Sequence, residues 1–157
     1  MRDCREVVPN NYICCMADVH NEGVRYYDMS RIKSKDTKPE MLVRRYLHGN
    51  RLRYRLHDKS LPGKPDIVLP KYKTIIFIHG CFWHHHSSCK LGKIPSQNEK
   101  YWMKKINSNV QRDILHGQKL MQLDWNVITV WECELHNKKL AETLKNLLLS
   151  LKQNLHT

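Results

Sequence analysis

The sequence predicts an α/β fold, a mixed β-sheet with helices on both faces. Three features carry that expectation. Four runs of strand length, apolar or alternating in character, lie at residues 51–56, 66–69, 74–78 and 126–131. Stretches at 37–50, 98–123 and 137–152 repeat their apolar residues at helical spacing. The order helix, three strands, long loop, helix, strand, helix is that of helices laid across a sheet. With 157 residues the chain can bury one hydrophobic core, and no segment repeats another.

Residues 1–23 lack either periodicity and read as a disordered or loosely ordered tail, leaving 24–157 as one domain. Met16-Ala-Asp-Val-His20 is itself a workable protein start, so residues 1–15 need not be translated. Residues 25–33 read as a short helix. Thr37-Lys-Pro-Glu40 is a capping box, with Thr37 as N-cap, Pro39 in the first turn and Glu40 at N3. Leu42, Val43, Tyr46 and Leu47 stripe that helix, and Gly49-Asn50 ends it. Arg51-Leu-Arg-Tyr-Arg-Leu56 alternates basic with apolar residues, which predicts a half-buried strand with Arg51, Arg53 and Arg55 pointing outward.

Leu61-Pro-Gly-Lys-Pro65 is a turn into a second strand, Asp66-Ile-Val-Leu69. Thr74-Ile-Ile-Phe-Ile78 has the unbroken apolar character of a central strand. The loop over 79–98 is rich in His, Cys, Ser and Gly, and too long to lack a purpose. Trp102, Ile106, Val110 and Ile114 then mark a long helix, Asn126-Val-Ile-Thr-Val-Trp131 a buried strand, and the leucines at 140, 144, 147, 148 and 151 a closing amphipathic helix.

Charge narrows the partners. Lys and Arg number 27 against 15 Asp and Glu, a formal +12 before ten His are counted. Such an excess in a small domain suits a polyanion, nucleic acid first and an anionic membrane surface second. A merely solvated basic surface is the plainer alternative. No apolar run approaches the roughly 18 residues of a membrane span, and the opening Met-Arg-Asp-Cys-Arg-Glu is no secretory signal, so the expected location is the cytoplasm. In that compartment six Cys point to metal or redox chemistry before disulfides.

Cys81-Phe-Trp-His-His-His86-Ser-Ser-Cys89 packs two thiols and three imidazoles into nine residues. Zinc takes four N/S donors in a tetrahedron, and a structural site leaves no position open. Cys81, Cys89 and one His make three; Cys133 is the natural fourth if its strand lies beside the one ending at Ile78. Buried free thiols with solvated histidines are the alternative. Nearby, Pro65-Asp66 opens a strand, the place where nucleases of the PD-(D/E)xK class keep a metal-binding Asp. No Glu-x-Lys follows here, and an Asp capping a turn is the commoner role. His79 and His84 flank Cys81, however, and a clamped loop would hold both imidazoles near Asp66. An imidazole, with a pKa of ~6.5, can take a proton from an attacking water. Glu40 could orient such a His, although its capping role competes for the same carboxylate.

Taken together, Leu61-Pro-Gly-Lys-Pro-Asp66, Ile76-Phe-Ile-His-Gly-Cys-Phe-Trp-His84 and Val130-Trp-Glu-Cys133 resemble the Vsr mismatch endonucleases of very short patch repair, in order and at matching separations. The resemblance runs from about residue 16 to about residue 134 and implies a restriction-endonuclease-like mixed sheet. It also implies that Asp66 binds Mg2+ with the main-chain carbonyl of Ile78, where the best-known member has Thr. His84 would be general base with Glu40 beside it, and His79 would sit against the scissile phosphate. Cys81, His86, Cys89 and Cys133 would hold structural zinc; the loop is one residue longer here, which leaves His85 against His86 open.

Phe82, Trp83 and Trp102 would form a wedge intercalating beside the mismatch, with Met29 entering from the opposite groove. Lys105, Asn109 and Arg112 would face DNA, with Asp113 supporting the site. The implied activity is nicking 5′ to the T of a T·G mismatch left by deaminated 5-methylcytosine. The expected companions are a cytosine methyltransferase and a MutL-type repair protein, and the expected state is a monomer. The rival readings are a restriction-type enzyme cutting intact duplex, a zinc-bearing DNA-binding module without catalysis, and a zinc hydrolase.

Overall fold

The computed structural model describes residues 35–96 and 98–154. The expected tail, the 25–33 helix and Met29 lie outside the described residues. Helix α1 spans Lys38–Gly49, and Thr37 and Glu40 close the capping box from both sides. Three strands follow: β1 (Arg55–Leu56), β2 (Ile67–Leu69) and β3 (Thr74–His79). Helix α2 covers Glu99–Gln122, β4 Asn126–Trp131 and α3 Asn137–Gln153.

The sheet order is β1-β2-β3-β4. β1 and β3 run antiparallel to β2, while β3 and β4 are parallel. The parallel pair requires a crossover, which α2 supplies. Side chains alternate across the sheet as the strand period demands. Ile67, Leu69, Ile76 and Val130 face α1 and α3, where Val43, Leu47, Leu144, Leu147 and Leu151 complete the main core. Val68 and Ile75, with Phe77 and Val127, face the other way and meet Leu120 of α2. A third cluster joins Phe82 of the long loop to Trp102 and Ile106 in the first turns of α2.

Two sequence expectations are corrected. The strand expected over 51–56 forms only at Arg55–Leu56. Arg51 adopts φ +61° and Leu52 N–H bonds back to the Leu47 carbonyl at 3.0 Å, so the first half of the alternating run is the capped end of α1. Arg51, Arg53 and Arg55 are exposed as expected. In α2 the apolar stripe gives out at Ile114, which is half exposed; Leu120 makes the sheet contact instead.

Candidate active site and metal centre

Asp66 immediately precedes β2, level with the end of β3. The β2–β3 ladder begins at Ile67 paired with Ile76, so the strand stops short of Ile78. The freed Ile78 N–H donates to Asp66 Oδ2 at 2.8 Å. Burial nevertheless pushes the Asp66 carboxyl above the ordinary range, and neighbouring Glu40 adds to that push; the Ile78 bond, His57 and Arg44 oppose it. A half-buried, oxygen-bearing group in need of positive charge is a fitting ligand for a hard divalent cation.

One residue beyond Ile78, His79 stacks on His84 with ring centroids 3.8 Å apart. His84 Nδ1 lies 2.6 Å from Asp113 Oδ2 of α2. The carboxylate can only accept, so Nδ1 carries the proton and Nε2 keeps its lone pair free. Burial opposes ionisation of Asp113, but the His84 hydrogen bond and the electrostatic pull of the neighbouring imidazoles together outweigh it and hold the carboxyl below its ordinary value. His79 is held down to about 4, first by burial and then by repulsion from neighbouring His84 whenever both would be protonated, so it is neutral at neutral pH.

The carboxylate on His84 is therefore Asp113, and the expectation of Glu40 there is corrected. Glu40 is already engaged: it accepts from Thr37 Oγ1 at 2.8 Å, from the Asp36 N–H at 3.0 Å and from Arg44 at 2.6 Å. The N3 geometry that closes the capping box turns the carboxylate back along α1 and towards His57, whose Nε2 is 3.8 Å away.

The four N/S donors come together as the spacing suggested. Donor atoms of Cys81, His86, Cys89 and Cys133 all lie within 4.8 Å of one another. His86 Nδ1 is 3.6 Å from Cys81 Sγ and 3.3 Å from Cys133 Sγ. Such separations suit a tetrahedron with metal–sulfur bonds of about 2.3 Å and metal–nitrogen bonds of about 2.0 Å. Cys133 sits in the turn just after β4, which β3 pairs in parallel, so the pairing carries it to Cys81. His85 is exposed with φ +53°, a left-handed turn that separates His84 from His86 and sends them to two different centres. His86 is the histidine of the cluster. Trp131 braces both centres, stacked on His86 at 4.3 Å and edge-on to His79 at 5.4 Å.

Gly92 has no freedom to vary. A Cβ there would lie 2.4 Å from the His86 carbonyl oxygen and 3.1 Å from that of Cys81. The knuckle closes by three successive main-chain bonds, His86 to Cys81 at 2.9 Å, Cys89 to His86 at 3.1 Å and Gly92 to Cys89 at 3.0 Å.

The aromatic residues stand differently from expectation. Phe82 and Trp102 are 8% and 6% exposed, and Trp83 is half-buried. Phe82 is sealed because the start of α2 folds over the loop, offering Trp102 at 5.2 Å and Ile106 beneath it. Lys105 lies over the rings of Trp83, Tyr101 and Trp102 at 5.6–5.9 Å. Asn109, expected to face DNA, donates instead to the Trp83 carbonyl at 3.0 Å and accepts from Arg112. Sequence reasoning missed His57, which lies against Asp66. Counting back across the β1–β2 hairpin, from the Leu56–Ile67 pair, would have found it.

A partly desolvated carboxylate, a carboxylate-held imidazole with a free lone pair and a set of four clustered N/S donors stand together here, groups suited to hydrolytic chemistry. Comparison with known proteins is specific. Residues 17–91 match the family described as DNA mismatch endonuclease Vsr. The chain is 49% identical over 138 residues to the type II nicking enzyme V.NmeAIP of Neisseria meningitidis serogroup A, covering 87% of this chain and 98% of that one. It is 44% identical over 124 residues to the DNA mismatch endonuclease Vsr of Escherichia coli K12, covering 79% of each. The type II nicking enzyme V.XorIIP of Xanthomonas oryzae is 44% identical over 134 residues, 85% of this chain and 98% of its own length. This chain belongs to the DNA mismatch endonuclease Vsr family.

Proposed function

We propose that the protein nicks one strand of duplex DNA 5′ to the T of a T·G mismatch, leaving a 5′-phosphate and a 3′-hydroxyl. One observation carries the chemistry. Asp66, Ile78, His79, His84 and Asp113 form one unbroken chain of contacts across the sheet edge.

Asp66, with the Ile78 carbonyl, would hold Mg2+. Bound there, the ion supplies charge to polarise the scissile phosphate and lower the pKa of water. His84 Nε2 accepts the proton of the attacking water, and Asp113 holds the ring in the required tautomer. His79, neutral, lies against the phosphate and can donate one hydrogen bond without adding charge. Glu40 acts further out, through Arg44 and His57. Cys81, His86, Cys89 and Cys133 would hold a structural zinc, whose closed donor set leaves no position for substrate.

A mismatched step stacks poorly and opens more easily than a paired one, so a wedge of aromatic rings discriminates by that difference. Trp83, half-buried, would enter the step first as DNA phosphates draw Lys105 from the rings, with the buried Trp102 and Phe82 following; Met29 would complete the wedge. Arg112 and Lys105 contact the backbone. The protein would work in the cytoplasm as a monomer, with residues 24–157 as its single endonuclease domain, beside a cytosine methyltransferase and a MutL-type helper.

Two duplexes of one sequence, one matched and one carrying T·G, test this reading in Mg2+. Nicking confined to the T-bearing strand of the mismatched duplex is expected. Cleavage of both duplexes alike would favour a restriction-type activity, and nicking unaffected by removal of Mg2+ would favour a zinc hydrolase.

A further inference from the structure

His57, so far only a link between Glu40 and the site, is the side chain that joins α1 to Asp66. It stands opposite Asp66 across the hairpin, its N–H donating to the Asp66 carbonyl at 3.4 Å. Its own backbone is left-handed, φ +48°. The ring is largely buried, 17% exposed, with Nε2 3.0 Å from an Arg44 NH2 group and Nδ1 3.9 Å from Asp66 Oδ1.

These contacts determine where the ring's proton sits. A guanidinium can only donate, so Nε2 accepts from Arg44 and the N–H is Nδ1, turned towards Asp66. Arg44 is held in place, its NH1 group by Asp36 and its NH2 group, which it shares with His57, by Glu40. The Asp66 carboxylate is thus approached on both oxygens: Ile78 N–H takes Oδ2 at 2.8 Å, and His57 Nδ1–H faces Oδ1. At 3.9 Å the second contact is a directed electrostatic attraction rather than a hydrogen bond.

We propose that His57 is a positioning residue for the cation site, holding Asp66 in the orientation that presents Oδ1 and tying that orientation to the Arg44–Glu40 pair of α1. The proposal rests on the reading of Asp66 as a cation ligand. It makes α1 part of the cation site without any residue of α1 touching the ion. It also gives the buried Arg44 a purpose beyond its salt bridge.

The test is Mn2+ binding by the full-length chain, followed through the electron paramagnetic resonance signal of the free ion. Parent, Asp66→Asn, His57→Phe, His57→Ala and His57→Asn are compared, with circular dichroism fixing the folded fraction of each. His57→Phe and His57→Ala should weaken Mn2+ about tenfold per folded molecule, the usual scale for a group that orients a metal ligand. His57→Asn should stay within about threefold of the parent, because its amide reaches the Nδ1 position and Asn tolerates the left-handed backbone. Parental binding in the Phe and Ala variants, with Asp66→Asn defective, would overturn the role of His57 and leave Asp66 as ligand. Parental binding in Asp66→Asn would remove the reading beneath it. Equal loss in all three His57 variants, following their thermal midpoints, would show a structural residue and overturn the proposal too.

Discussion

At the scale of single residues the account turns on Asp113. Its carboxylate fixes the His84 tautomer from 29 positions away in sequence, through a 2.6 Å contact. Asp113→Asn should lower the nicking rate about tenfold to a hundredfold with DNA affinity unchanged, part of the 10²–10⁴ that a general base contributes. The same residue sets a pH dependence of stability. Its folded pKa lies below the unfolded value, so its contribution is complete above about pH 4 and is lost as pH falls through the folded pKa. Parent protein should therefore lose more stability than Asp113→Asn between pH 5 and pH 3, as read from urea midpoints. Gly92→Ala forces a Cβ into the His86 carbonyl and should destabilise by about 1–3 kcal/mol, the range of overpacked sites.

How legible these residues were depends on how local their signals are. Cys81, Cys89 and the histidines between them stood out because their composition is unusual over nine positions. His86 could not be told from His85 until the left-handed turn at 85 parted them. Asp113 and His57 act through long-range contacts, set by the docking of α2 and by hairpin register, and nothing in their immediate neighbours marks them. The cover over Phe82 was hidden for the same reason: Trp102 and Ile106 come from a helix twenty positions on.

At the scale of elements, periodicity was a sound guide wherever packing and pattern coincide. β4 and the two long helices fall within a residue or so of the ranges expected from their apolar spacing. β1 fell short because an alternating run and a helix C-cap place apolar residues alike, and the cap took Leu52. Helix α1 offers a clean comparison of two substitutions. Thr37→Ala removes an N-cap acceptor and should cost about 1 kcal/mol. Glu40→Ala should cost more, about 1.5–3 kcal/mol, because it removes one of the two carboxylates that pair with Arg44, whose side chain is only 6% exposed. Chemical denaturation of the two variants measures the difference.

At the scale of the molecule, one sheet edge gathers both centres. β3 ends in His79, its antiparallel neighbour begins just after Asp66, and its parallel neighbour leads into Cys133. The N/S cluster fixes the loop that carries His84, so metal at the cluster and catalysis at Asp66 should fail together. Stripping the cluster with a chelator should lower the unfolding midpoint by roughly 10 °C or more, since a structural metal contributes directly to folding. It should also abolish nicking, which Zn2+ restores and added Mg2+ does not. Among the described residues no helix is long and apolar enough to cross a membrane. The +12 charge suits association with a polyanion such as DNA.

The most direct measurement is single-turnover nicking of a T·G duplex by Asp66→Ala and His84→Ala, each assayed alongside its binding to the same duplex. The arrangement predicts binding near that of the parent in both variants, with nicking lost by at least about a hundredfold. Nicking at the parental rate by either variant would contradict it.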